Sequence, residues 1–173
     1  MEAHYFVFGA TLSRAIRSKC RAASGVRFPE LRGGKVGAIV GATLIYSAPS
    51  TFWEGKVPVL LAAAKSDLYG VLYVLTADEM KHVDACERAL GGVPLVVTIR
   101  CNGSTVSATT YAAQVSENLN DDIAVSEKYV AAMAQGAREC NLPAGYVEAL
   151  EAESMLLDRI QRFGRENNLL GEL

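Results

Sequence analysis

Leu68-Tyr69-Gly70-Val71-Leu72-Tyr73-Val74-Leu75 runs straight into Thr76-Ala77-Asp78-Glu79. The first of these segments is apolar on both alternating faces and rich in aromatic and branched side chains, which predicts a central strand buried on both sides. The second has the S/T-x-x-E form of a capping box. The Thr76 hydroxyl would accept from the Glu79 N–H while the Glu79 carboxylate reaches back to the start of the helix. A strand is therefore expected to hand over to a helix at Thr76. That helix should run to about Leu90, where Gly91-Gly92 stops it.

The apolar stripe of this helix reads Met80, Val83, position 87, Leu90. Those offsets fall on one face at about 100° per residue. Position 87 is a glutamate. A carboxylate is almost never fully buried unless it is paired, and burial raises its pKa. A carboxyl tuned toward neutrality is what a general acid/base requires, so Glu87 is the candidate catalytic residue. The structural alternative for Glu87 is a place at the stripe edge, or a tie to an arginine. Asp84 lies about 60° away and is expected to be exposed or to support Glu87 from behind.

Further from this helix the elements are shorter. Tyr5-Phe6-Val7-Phe8 is the first strand, closed by Gly9. A helix is expected from Ser13 to about Ala22, then loop over 24–34, with Pro29 and Gly33-Gly34 as breakers. Val36 to Tyr46 reads as a strand, Ser47 to Pro58 as a loop carrying Trp53, and Val59 to Ala63 as a short strand. Pro94 to Cys101 and Thr105 to Ala113 should pair through Asn102-Gly103, which suits a type I′ turn. Asn118 to Ile123 reads as polar loop. Helices follow at about Ser126 to Cys140 and Pro143 to Arg162, with Pro143 at a first helical position where its missing N–H costs nothing. The order implies an α+β fold: a small mixed, strongly bent β-sheet or barrel flanked by helices. The whole chain, 1–173, reads as one domain with 143–165 as a C-terminal helix.

Composition narrows the function classes. Of 173 residues, 50% are hydrophobic and 21% charged, an ordinary globular balance that argues against disorder. The formal net charge of −2 gives no reason to expect a nucleic-acid partner. The basic run Arg14, Arg17, Lys19, Arg21 reads as a solvated helix face. Cys20, Cys86, Cys101 and Cys140 are scattered without C-x-x-C spacing, which reads as reduced thiols in a cytoplasmic protein. His4 and His82 are too isolated to suggest a metal site, so no cofactor is expected. The longest wholly apolar run, Val57 to Ala64, is far short of the roughly 20 residues that span a bilayer, so no membrane association is expected. The start of the chain does not read as a signal peptide.

Gly9 at the end of the first strand says that a backbone turns or is approached closely there. With a helix start just beyond, the backbone N–H groups of residues 9 to 12 could point into a pocket and hold a carboxylate.

These features together resemble the γ-glutamylcyclotransferase family over about residues 5 to 150. The family opens with a strand and a Tyr-Gly-Ser-Asn-Leu loop. Here Tyr5-Phe6-Val7-Phe8-Gly9-Ala10-Thr11-Leu12 stands in that place. The family's catalytic glutamate reads Asp-x-x-Glu after a buried strand, matched by Asp84-Ala85-Cys86-Glu87. Tyr111, Ser126-Glu127-Lys128-Tyr129, Gly136-Ala137 and Asn141-Leu142-Pro143-Ala144-Gly145-Tyr146 follow in the family's order. The resemblance implies cyclisation of a γ-glutamyl dipeptide or amine to 5-oxoproline, with Glu87 as acid/base and no metal. It implies a substrate site of Phe8, Gly9, Ala10, Thr11, Leu12, Tyr111 and Tyr129, and a possible homodimer. Ala10 and Thr11 replace the family's Ser and Asn, Arg88 stands where glycine is common, and Val93 where a tyrosine is usual. Arg88, turned inward, would lower the Glu87 pKa. Two other readings stay open. One is a relative that keeps the pocket and binds a small ligand without turnover. The other is an interaction protein using the C-terminal helix face of Val147, Leu150, Leu157 and Ile160.

Overall fold

The computed structural model describes residues 2–115 and 123–166, and the side chains of 2–115 and 123–162. Five strands close into a barrel in the order β1-β3-β2-β4-β5. They are β1 (Glu2–Val7), β2 (Lys35–Ser50), β3 (Gly55–Thr76), β4 (Val93–Cys101) and β5 (Ser104–Ala112). Four helices flank them: α1 (Arg14–Ser24), α2 (Ala77–Ala89), α3 (Glu127–Glu139) and α4 (Ala144–Glu166). A single 3-10 turn, Ala10–Leu12, joins β1 to α1. This is the mixed α+β, strongly bent barrel expected from the sequence.

The barrel is antiparallel except at its closure, where β1 meets β5 in parallel through Tyr5 and Thr109. β2 and β3 are much longer than the sequence suggests. The expected loop Ser47–Pro58 and short strand Val59–Ala63 are instead the far end of one continuous hairpin. Ser50 pairs with Gly55, and residues 51–54 alone form the turn. Pro49 and Pro58 sit on its outer stretch, where strands tolerate proline because an edge N–H needs no partner. The expected polar loop Asn118–Ile123 falls, up to residue 122, outside the described residues.

Alternation along β1 divides the core in two. Tyr5 and Val7 face the helices and join Leu12, Val71, Tyr73, Val83 and Met133. Phe6 and Phe8 face the barrel interior with Ile39, Leu68, Leu72 and Ile99. The handover at Thr76 is as expected. The Thr76 hydroxyl accepts from the Glu79 N–H at 3.2 Å, and the Glu79 carboxylate accepts from the Thr76 N–H at 2.8 Å. Such a cap contributes about 1 kcal/mol and fixes where α2 begins. The Asn102-Gly103 turn is also as expected, with φ of 50° and 77°. Pro143 lies one position before α4, its carbonyl accepting from the N–H groups of Tyr146 and Val147.

Candidate active site

α2 carries Val83, Cys86 and Glu87 on its buried face, and Glu87 is 7% exposed. Two hydroxyl groups reach its carboxylate. Tyr5 on β1 donates to Oε1 at 2.5 Å, and Thr11 in the 3-10 turn donates to the same oxygen at 2.7 Å. Burial pushes the Glu87 pKa above the usual carboxylate range, and the two hydrogen bonds hold it back in part. Burial, and then the Glu87 charge, push the Tyr5 phenol well above its ordinary range, so Tyr5 stays a donor.

Neither cation near α2 neutralises this carboxyl. Arg88 turns outward and binds Asp84 through Nε at 2.8 and 2.9 Å. Asp84 also accepts from the Tyr111 hydroxyl at 2.9 Å. Asp84 thus supports the pocket wall from behind, and the inward turn of Arg88 that would lower the Glu87 pKa does not occur. Arg17 reaches the site from α1 but directs Nη1 to the carbonyls of Thr11 and Leu12, at 2.7 and 2.6 Å. Its place in the basic run read as solvated surface is therefore only half right. Arg17 is a clamp on the turn that presents Thr11.

The turn itself is held from the other side by α3. A Cβ at Gly136 would overlap the Ser13 nitrogen and the Leu12 side chain, so the helix backbone packs directly on the turn. Gly9 has a similar reason. Its φ of −93° suits any residue, but a Cβ there would run into the Tyr129 hydroxyl. Glycine is needed for the close approach of Tyr129, in line with the alternatives left open by the sequence. Within the turn Leu12 N–H bonds the Gly9 carbonyl at 3.0 Å, and the Ala10 backbone hydrogen-bonds the Tyr129 hydroxyl.

A single pocket gathers most of the expected site residues. Phe8, Gly9, Ala10, Thr11, Glu87, Tyr111 and Tyr129 all line it. Leu12 does not: its side chain is fully buried in the helix-facing core and its N–H is used within the turn. Several lining residues were not expected: Tyr5, Trp53, Val57, Pro58, Gly92 and Thr110 among them. Tyr5 had a signal in the sequence, because a phenol in an otherwise apolar strand must find a buried partner. Trp53 had none, because it depends on the true length of the β2–β3 hairpin. At the hairpin tip Ser126 accepts from the Tyr129 N–H at 3.1 Å and donates to the Trp53 carbonyl at 2.6 Å. That one hydroxyl sets Trp53 against Tyr129, ring centroids 5.0 Å apart and near perpendicular. Among the pocket-lining residues Glu87 is the sole Asp, Glu, Lys or Arg. Among the described residues no group of three or more His, Cys, Asp or Glu could hold a metal ion.

Residues 67–150 match the AIG2-like family model, a span that holds Glu87, Tyr111 and Tyr129. No curated protein matches the sequence. Among solved structures, a γ-glutamyl cyclotransferase aligns at 21% identity and a TM-score of 0.65, with 88% of each chain covered. A human protein described as uncharacterized aligns at 18% and 0.62, with 87% of each chain covered. YkqA of Bacillus subtilis aligns at 19% and 0.66, and the match covers 88% of this chain and 54% of that one. At such identities the likeness is one of fold, and it covers more of the chain than the family match does.

Proposed function

We propose that this chain, AIG2-like over residues 67–150 and built on the γ-glutamylcyclotransferase fold, cyclises γ-glutamyl dipeptides or amines to 5-oxoproline with Glu87 as acid/base. The observation that carries the reading is one buried carboxyl, raised in pKa, at a pocket otherwise lined by uncharged groups. The substrate brings its own nucleophile. Its α-amine is tethered to the γ-carbonyl it attacks, so holding the chain folded supplies much of the acceleration. The α-ammonium first gives a proton to the Glu87 carboxylate. The free amine then adds to the γ-carbonyl carbon, closing the five-membered ring. Glu87 returns the proton to the departing nitrogen as the old C–N bond breaks, and the ring nitrogen's remaining extra proton passes to the released amine, which leaves as an ammonium. One carboxyl serves both steps, provided its pKa lies near working pH.

The backbone of the turn from Gly9 to Thr11, with Tyr129 beside it, is the proposed place of the glutamyl α-carboxylate. Tyr111, Tyr129, Trp53, Val57 and Pro58 line the pocket, and this reading assigns the last three to the departing half. The test is 5-oxoproline release from a panel of γ-glutamyl dipeptides, γ-glutamyl amines and glutathione. Glu87→Gln is expected to lower kcat by roughly 10²–10⁴-fold on whichever member reacts. If wild-type protein binds panel members yet releases no 5-oxoproline, the pocket belongs to a ligand-binding relative without turnover.

A further inference from the structure

The two hydroxyls that reach Glu87 come from different elements and meet on one oxygen. Tyr5 Oη and Thr11 Oγ1 stand 2.5 and 2.7 Å from Oε1. Among the described residues no group hydrogen-bonds Oε2, and Glu87 opens on the pocket. Resting on the cyclisation reading above, we propose that Tyr5 and Thr11 are positioning residues that fix Oε1, so that Oε2 alone takes the proton from the α-ammonium and returns it to the departing nitrogen.

The argument is one of valence. A hydroxyl has a single proton to donate, and a carboxylate oxygen has two lone pairs. With both lone pairs of Oε1 occupied, a proton can settle there only by evicting a donor. Protonated Glu87 therefore holds its proton on Oε2, the oxygen that neither hydroxyl occupies. In the first step the N–H bond of the ammonium breaks as the Oε2–H bond forms, and the freed electron pair makes the new C–N bond. In the second, Oε2–H gives its proton to the departing nitrogen as the old C–N bond breaks, the carboxylate is restored, and the ring nitrogen's remaining extra proton leaves on the released amine as its ammonium. Both donors are held firmly. Tyr5 pairs with Tyr73 across β1–β3 and with Thr109 at the barrel closure, and Arg17 holds the Thr11 carbonyl. Thr11 stands where the γ-glutamylcyclotransferase family has Asn, and its hydroxyl is turned to Glu87.

The other titratable groups that feel the Glu87 charge are Cys20 on α1, Tyr111 on β5 and Tyr129 on α3, and Arg17 on α1 acts on Tyr5 and Cys20 beside it. On α2 itself, Asp84 and Arg88 pair with each other. None of these is altered by Tyr5→Phe, Thr11→Val or Thr11→Ser, and the first two substitutions preserve shape. The experiment follows the Glu87 carboxyl by ¹³C NMR titration, alongside kcat/KM against pH for 5-oxoproline release.

Loss of a donor that favours the charged form moves both the Glu87 midpoint and the acid limb of kcat/KM to higher pH, further in the double variant. At neutral pH each lost donor lowers kcat/KM by roughly tenfold. Thr11→Ser keeps the hydroxyl and behaves as wild type. An unmoved midpoint in the folded double variant, or a Thr11→Ser profile matching Thr11→Val, overturns the proposal. The two readings separate cleanly. Release with an unmoved midpoint removes the Oε1 anchor and keeps the cyclisation. A moved midpoint without release from any panel member keeps the anchor and removes the cyclisation.

Discussion

Glu87 costs the fold something that its replacement would not. Its carboxyl titrates above the ordinary value of 4.5 in the folded protein because burial disfavours the charge. From that value upward the folded chain holds a proton that the unfolded chain has released. Stability therefore falls as pH rises through the window between the unfolded and folded pKa values. In a Glu87→Gln variant the side-chain amide oxygen still accepts from both hydroxyls, and the group carries no charge. The variant is expected to match wild type at about pH 4 and exceed it at about pH 8, read as the urea midpoint. An equal or lower midpoint at the higher pH would mean that Glu87 is held for stability. The glutamate was legible from its place in an apolar stripe. Its partners were not: Tyr5 and Thr11 lie more than seventy residues away in sequence, and no local period relates them to α2.

The 3-10 turn and the hairpin tip place the pocket walls, and each does so through a single close contact. Gly9→Ala would set a methyl into the Tyr129 hydroxyl, and the ring, wedged against Trp53, has little room to yield. A loss of about 1–3 kcal/mol is expected from such overpacking. Tyr129→Phe in the same chain removes the clashing oxygen and should restore most of that loss, measurable as a double-mutant cycle in denaturant. Ser126→Ala tests the other contact. It removes the cap of α3 and the bond to the Trp53 carbonyl together, for about 1–3 kcal/mol by the same measurement. Here the sequence was informative about chemistry and poor about length. Turn and cap residues announced α2 and the Asn102-Gly103 hairpin within a residue or two, and α3 lies within a residue of its expected bounds. The β2–β3 hairpin was misjudged because Pro49 and Pro58 read as loop, and their tolerance depends on lying outside the closed part of the barrel.

The barrel with its inner helix face is the stable body, and α4 joins it by its first turns. Tyr146 packs on Tyr69, and Leu150 is buried, whereas Met155, Leu156 and Ile160 are 62, 58 and 57% exposed. The apolar face expected along α4 thus divides: Val147 and Leu150 belong to the core, and Ile160 does not. A chain ending before Met155 is expected to fold with a melting temperature within a few degrees of wild type and to keep its 5-oxoproline release. A large fall would show that those exposed side chains are covered in solution, as the interaction reading requires. The α+β class and the bent barrel could be anticipated from element order. Its closure could not, because the parallel meeting of β1 and β5 rests on one pair, Tyr5 with Thr109. That pair is the seam of the barrel, and the residue on one side of it is also the hydroxyl that orients Glu87. Tyr5 thus joins the seam by its backbone and the carboxyl by its hydroxyl. Amide exchange at Tyr5 would therefore report, in one clock, both how often the barrel breathes and how long the acid/base stays aimed.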